Sequence, residues 1–367
     1  MKPVKIFSDA IEGKALAQFH DAMSMGFAVQ GALMPDAHAG YALPIGAVVA
    51  TDGVVVPAWV GYDIGCGMCA IPTLFKREEV ETNKKAIFDQ IYRDVPVGFN
   101  HNSKPVDWSY EGRISDFAAK LYASGACEKQ IGSLGSGNHF IEIGYDERDT
   151  VWIVIHSGSR GVGHKLATHY MKLASKSDKA KEWHYGLDVS SPDGKNYIND
   201  LAFGLQFALD NRKTMLNRIS WAIHHVGCGG ALLWLDLINR NHNHAELKDD
   251  RWIHRKGATH AEDGMMGVIP GNMRDGSFIV RGKGNPDSLF SSSHGAGRVM
   301  SRTEAKSTLS VATFVEQMEA SGVQAKVGFD TVDESPLAYK SIFDVMAMQT
   351  DLVEVVHHIK PIINIKG

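Results

Sequence analysis

Apolar positions change their period along the chain, and the changes divide it into segments. Up to about residue 70, short β-rich runs (GAVVA, GVVVPAWVG, CAIPTLF) alternate with glycine turns, the pattern of an irregular mixed sheet. From about 78 to 126 the spacing predicts helix: Ile114, Phe117, Ala118 and Leu121 follow the i, i+3, i+4, i+7 rule of one buried face. The run VWIVIHS (151–157) is apolar without interruption until His156, which predicts a buried strand carrying a polar residue at its tip. A long helix is expected over about 197–225, with Leu201, Leu205, Ala208, Met215 and Ile219 among its apolar positions. Strands are expected at RWIHRK and SFIVRG, then a last helix near 337–358 and a short strand, PIINIKG. Strands and helices do not alternate strictly, so the expected class is α+β, a mixed sheet core with surrounding helices and a central cleft. No repeat or compositional break interrupts the chain, and 1–367 reads as one domain.

Composition narrows the function only by exclusion. A net charge of −4, with no run of Lys or Arg, leaves no electrostatic footprint for nucleic acid. The most apolar stretch, LPIGAVVATDGVVVPAWVG, is broken by Asp52, Pro57 and glycines, which excludes a membrane span. Four cysteines and an N-terminus without an apolar core argue against a disulfide framework, and the expected compartment is the reducing cytoplasm. The 37 glycines and 17 histidines do change the picture, because they favour close backbone approach to a ligand and metal or acid–base chemistry.

Those residues gather in short strings. In VGYDIGCGMC, Asp63 and Cys66 stand three apart in a glycine turn, where a carboxylate and a thiolate could share a divalent cation; a plain turn with a buried cysteine is the competing reading. Cys66 and Cys69 also form a CxxC, weak without a second one. GSLGSGNHFIEI offers Asn138, His139 and Glu142 beside small residues, and IHSGSRGVGH repeats the arrangement with His156 and Arg160. His242 and His244 bracket Asn243; on a helix at most one could join a given site, and a solvated helix end explains both without function. HRKGAT, VIPGNMRDGSFIVRGKG and SSSHGAGRVMSR combine basic residues, glycine turns and one histidine, His294, as a phosphate-rich ligand requires. A Walker motif and a G-x-S-x-G elbow are both absent.

Taken in order, MPDAHAG, GYDIGCGM, GSLGSGNHFIEI, HSGSRG, HRKGAT, IPGNM, SFIVRGKGNP, HGAGRVMSR and the terminal KG resemble the RtcB family of RNA ligases over nearly the whole chain. The resemblance implies an enzyme that uses GTP and Mn²⁺ to join an RNA 3′-phosphate or 2′,3′-cyclic phosphate to a 5′-hydroxyl, acting as a monomer. It implies two metal ions on Asp63, Cys66, His139, His156 and His242, the thiolate bridging them. It assigns guanine nucleotide binding to Asn138, His139, Phe140, Ile141 and Glu142, to His242 and Asn243, and to Pro270, Gly271, Asn272, Met273 and Ser277. His294, Gly295, Ala296, Gly297, Tyr339 and Lys366 complete that set. His294 would carry GMP, an imidazole nitrogen being nucleophilic when neutral.

Arg160, Arg281 and Arg298 are expected to supply positive charge that the whole-chain total hides. Asp36 and His38, in the shared MPDAHAG string, receive no role. The chain departs from the family pattern at Ser292, where cysteine is common, at PGNM for PGSM, and at AGYALPIG for LGKGATIG. Ser292 is read as a change near the RNA entrance, in a bacterial paralogue specialised for repair of ribosomal or transfer RNA. Two further readings stay open: a metal-dependent phosphoesterase that opens cyclic phosphates without ligation, and a catalytically silent RNA- or ribosome-binding protein.

Overall fold

The computed structural model describes residues 2–367. Its larger sheet runs in the order Met266–Pro270, Ser277–Gly282, Val353–Lys366, Phe140–Tyr145, Thr150–Ser157, Gly67–Lys76, Ile238–Asn241, with Gln324–Ala325 beside the long C-terminal strand. The two edge strands, Met266–Pro270 and Ile238–Asn241, approach each other without pairing, so the sheet is nearly closed. A second sheet orders Val4–Ile6, Ala28–His38, Ile45–Thr51, Arg251–Lys256 and Asn243–Lys248. The expected α+β class holds, and the central cleft lies where the strands of both sheets end.

The two-residue period of the strands explains the core. Met68, Ala70, Phe140, Trp152, Val154 and Ile238 fill the inside of the nearly closed sheet. Cys69, Ile71, Ile141, Ile143, Ile153 and Ile155 point outward against the helix Pro192–His225. Thr150–Ser157 is therefore apolar on both faces, as its sequence predicts. The helix starts five residues earlier than expected because Ser191 caps it, its hydroxyl accepting from Gly194 N, with Pro192 in the first turn. Leu201, Ala208, Met215 and Ile219 are buried as expected, while Leu205 is half-buried.

Several elements differ from the sequence reading. The helix expected over 337–358 is only Ile342–Ala347, and Val353–Lys366 is a 14-residue strand. Its run of Val and Ile favours the sheet, and Pro361 sits at a register shift where a ladder N–H is not needed. The segment 78–126 breaks into Arg77–Thr82, Lys84–Asp94, Asp116–Ala123 and Ala126–Gln130, because Pro96, Gly98, Pro105 and Gly112 interrupt the middle. Pro57 starts a short helix, Pro57–Val60, inside a run expected to be strand. Gly13–Ser24, where Ala15, Phe19, Ala22 and Met23 form a buried stripe, is a helix that the sequence reading left out. Among the described residues no helix is long and apolar enough to cross a membrane.

Candidate active site

Strand register builds the site. Gly67 pairs with Ser157 and with Asn241, and His156 pairs with both Met68 and Phe140, so four chain segments end side by side. The same parity that points Met68, Trp152, Val154 and Ile238 inward continues into Cys66, His156 and His242 at that end. Cys69 falls on the opposite face and packs with Ile71, so the CxxC cysteines do not converge. His242 and His244 are extended rather than helical: His242 lies at the break between two strands, and His244 stacks on His260 in a separate cluster. Only His242 joins the site.

Cys66 Sγ lies 3.3 Å from His139 Nε2 and 3.2 Å from His156 Nε2, and His156 Nε2 lies 3.3 Å from His242 Nε2. Asp63 Oδ2 is 2.9 Å from His139 Nε2. His156 Nδ1 lies 3.2 Å from the Asn138 carbonyl, which can only accept, so Nδ1 carries the proton and Nε2 presents a lone pair to the sulfur and to His242. Burial and neighbouring cationic groups hold His156 and His242 well below the usual imidazole range, which keeps both neutral. Burial raises the Asp63 carboxyl, but His139 beside it outweighs that and brings it down to about 2. Burial and Asp63 push the Cys66 thiol well up, so only a cation makes it a thiolate at neutral pH. Converging lone pairs from sulfur, imidazole and carboxylate fit a divalent metal ion. Glycines make room: a Cβ on Gly158 would stand 2.1 Å from Asp63 Oδ1, and one on Gly135 2.1 Å from His139 Nδ1.

His294 faces this cluster, its ring 4.8 Å from that of His242 at 75°. Asp36, fully buried, accepts from His294 Nδ1 at 2.7 Å and, through the same Oδ2, from His294 N at 3.2 Å and Gly295 N at 3.3 Å. Nδ1 is thereby fixed as a proton-bearing nitrogen, and in the neutral ring Nε2 carries the lone pair. Gly297, at φ +74°, brings its backbone against Asp36 O, where any Cβ would stand at 2.2 Å. A cavity of about 690 Å³ connects His294 with Asp63, Cys66, Asn138, His242 and Asn243.

Further inside, Glu142 Oε1, Ser277 Oγ and Asn364 Oδ1 are all buried without a hydrogen-bond partner. Burial pushes the Glu142 carboxyl up to about 7, against the Ser277 hydroxyl, the Lys366 charge and Asn364. Lys366 Nζ lies 4.9 Å from the Phe140 ring and 2.9 Å from Glu334 Oε2, which also accepts from Tyr339 OH at 2.7 Å. Pro270 O lies against Gly295, so the 270–273 turn adjoins the histidine loop. Within that turn Met273 is buried with Phe314 and Val332, and Asn272 closes its own turn by accepting from Arg274 N and Asp275 N. Ala296 and Ile141 pack in the cores.

The residue-matched model of the family described as tRNA-splicing ligase RtcB covers residues 18–120 and 111–367. The chain belongs to the RtcB family. It is similar to the RNA-splicing ligase RtcB of Escherichia coli K12, 36% identical with 100% of this chain and 97% of the relative covered. It also resembles RNA-splicing ligase RtcB2 of another Escherichia coli strain at 29%, with 97% and 93% covered. The tRNA-splicing ligase RtcB of Aeropyrum pernix is 29% identical, covering 84% of this chain and 82% of its own length.

Against the RtcB pattern, two expectations need correction. Ser292 is fully buried, paired with Thr259 in a two-stranded ladder, and cannot meet RNA. Arg281 is exposed and pairs with Glu354, four residues along its strand from Ser277 and outside the cleft. Arg298 lines the cleft, and Arg160 packs behind it, donating to Ser133 Oγ at 3.0 Å. Sequence reasoning also missed Arg212, a fully buried residue of the long helix. It donates to Gly65 O at 2.9 Å, Ser157 O at 2.7 Å, Asn239 Oδ1 at 2.7 Å and Asn241 Oδ1 at 2.6 Å, tying together the strands that carry the metal-ligand candidates. Its helical spacing is that of any buried helix residue, so no sequence signal marks it; Asp36 was signalled by its string but not by its partner.

Proposed function

We propose that this RtcB-family chain is a GTP-dependent RNA ligase that joins RNA 3′-phosphate or 2′,3′-cyclic phosphate ends to 5′-hydroxyl ends. The observation that carries the reading is His294, held at Nδ1 by buried Asp36 and aimed at the Cys66/His139/His156/His242 cluster. His294 Nε2 attacks the α-phosphorus of GTP; the N–P bond forms, the bond to the β-phosphate oxygen breaks, and pyrophosphate leaves. Asp36 balances the positive imidazole of the GMP-histidine. An RNA 3′-phosphate oxygen then takes the GMP from His294, and the 5′-hydroxyl oxygen attacks the activated phosphate and releases GMP. A cyclic phosphate is first opened by water.

Asp63, Cys66, His139, His156 and His242 would hold two Mn²⁺ ions, which supply charge neutralisation at the transferring phosphates. Glu142 and Ser277 present buried oxygens that suit the N–H edge of guanine, Lys366 can only donate and suits its carbonyl oxygen, and Phe140 and Tyr339 serve as ring walls. The remaining residues of the set, Asn138, Ile141, Pro270 to Met273 and Gly295 to Gly297, shape that path through their backbone, and Asn243 through its side-chain amide, which donates to Asp63 O and accepts from Gly257 N. We place the activity in the cytoplasm, in a single-domain monomer, serving RNA repair or tRNA splicing; four free buried cysteines suit a reducing compartment. Incubation with radiolabelled GTP and Mn²⁺ should leave an acid-labile label on the protein that His294→Ala abolishes. Unlabelled wild-type protein overturns the reading, and opening of cyclic phosphates by His294→Ala without GTP would select the phosphoesterase instead.

A further inference from the structure

Two aromatic side chains stand in the cleft without a part in the chemistry above. Tyr62 directly precedes Asp63 and lines the same cavity as Asp63, Cys66 and His294. One face of its ring is braced by His164, at 4.8 Å and 17°, a stacked geometry that fixes the plane. Tyr41 lines the cavity from the loop between Ala28–His38 and Ile45–Thr51 and is 71% exposed. That loop is pinned by its backbone: Gln18 Nε2 donates to Gly40 O at 2.9 Å and Tyr41 O at 2.6 Å, and Gly40 N donates back to Gln18 Oε1 at 3.0 Å. A large apolar ring held exposed on an anchored loop gains nothing for folding, since it buries little surface. Lys14 and Lys256 line the same cavity and offer charge for a phosphate backbone.

We propose that Tyr41 and Tyr62 form a stacking platform for the unpaired base next to the reacting RNA terminus. The inference rests on the ligase reading and adds the substrate class: an end whose last nucleotide is single-stranded. Every base presents a π-face, so such a platform accepts any sequence, whereas a terminal base locked in a duplex cannot splay onto it. The occupant is RNA and not the guanine of GTP, because the orphaned polar edge of Glu142, Ser277 and Asn364, with Phe140 and Tyr339, is not part of the cavity wall that carries Tyr41 and Tyr62. AGYALPIG, which departs from the family string, supplies Tyr41.

The test uses the full-length, Mn²⁺-loaded protein and an RNA oligonucleotide with 2-aminopurine beside its 3′-phosphate. Wild type and the Tyr41→Phe/Tyr62→Phe pair should quench the fluorophore on binding, since stacking needs the ring and not the hydroxyl. Tyr41→Ala/Tyr62→Leu should lose the quenching and raise the KM for RNA by about 5- to 150-fold, the worth of one stacked base, with a much smaller change in kcat. Tyr41→Ala alone, on a loop without a metal-ligand candidate, should raise KM by at least about threefold on the same scale. A wild-type KM and full quenching in both ring-deleted variants would overturn the platform while leaving the ligase intact. A wild-type protein that forms no ligated RNA overturns both.

Discussion

Replacing Asp36 by Asn tests the proposed role of His294 as a nucleophile oriented by a buried carboxylate. The substitution keeps the shape, removes the charge and replaces one acceptor oxygen by an N–H donor. Asp36 is fully buried; burial raises its carboxyl, yet the His294 and His38 rings beside it bring it below the ordinary range, so it is ionised at neutral pH. One oxygen takes three N–H groups, the shortest from His294 Nδ1 at 2.7 Å. A hydrogen bond to a charged group contributes about 1.5–3 kcal/mol net, against about 1 for a neutral one. Asn also offers an N–H of its own, which favours the tautomer with the proton on Nε2, the nitrogen that must attack. Loss of the charge alone slows transfer of GMP to the protein by roughly 10-fold, and tautomer inversion extends this toward the ~10⁴-fold seen when a histidine loses its carboxylate orienter in hydrolases. The assay is single-turnover labelling with radiolabelled GTP at saturating Mn²⁺, beside metal content, which should not change because Asp36 touches none of the Cys66 cluster. Labelling by Asp36→Asn within about threefold of wild type would refute the orienting role, a threefold change being only ~0.65 kcal/mol.

The candidate metal cluster and the proposed guanine cradle give two more outcomes. Adding Mn²⁺ at about 100 times its Kd to chelator-treated protein should add about 2.7 kcal/mol and raise Tm by a few degrees; Cys66→Ser should lose most of that rise, and an equal rise in the variant would remove Cys66 from the ligand set. For Glu142 the folded state raises the carboxyl from 4.5 to about 7, so the folded protein binds the extra proton. That preference is fully present below pH 4.5 and is lost as pH rises through 7, amounting to about 3 kcal/mol by pH 8. Glu142→Gln should therefore flatten this part of the stability–pH curve in denaturant titrations between pH 5 and 8. A parallel curve for the variant would show that Glu142 is not held protonated.

The fold was legible where one period ran long. Thr150–Ser157 and the helix Pro192–His225 announced themselves, because burial on both faces or along one stripe writes directly into the residue pattern. Val353–Lys366 did not: its first half alternates Glu, His and Val in a way that suits either a helix face or a strand, and its place between two other strands decides. At the site, Cys66, His139, His156 and His242 were readable as residue types in glycine-rich strings, but their meeting depends on the register of three strand pairs. The Asp36–His294 contact spans more than 250 positions and comes from the second sheet, so no local pattern could reveal it. Ser292 misled for the opposite reason, since a position beside the histidine in sequence turns inward in space.

These pieces also explain how the fold accommodates so unfavourable a pocket. Neutral imidazoles with facing lone pairs, a buried thiol, and orphaned oxygens on Glu142, Ser277 and Asn364 each oppose folding until a ligand arrives. The opposing support is concentrated at the strand ends. Arg212 donates to four carbonyl and amide oxygens at once, and Asn211 donates to Ser133 O and Gly158 O at 3.1 Å each. Both residues lie on the best-buried face of the longest helix, which is itself held by the outward-facing isoleucines of the sheet. Burial lowers the Arg212 guanidinium only to about 10, so it stays charged at neutral pH and can hold the loops whether or not metal is bound. The candidate ligand groups are thus held by hydrogen bonds and hydrophobic packing through one helix. Under the proposed ligase reading, binding energy from metal and nucleotide is then not spent on assembling the loops, and remains available for orienting phosphates.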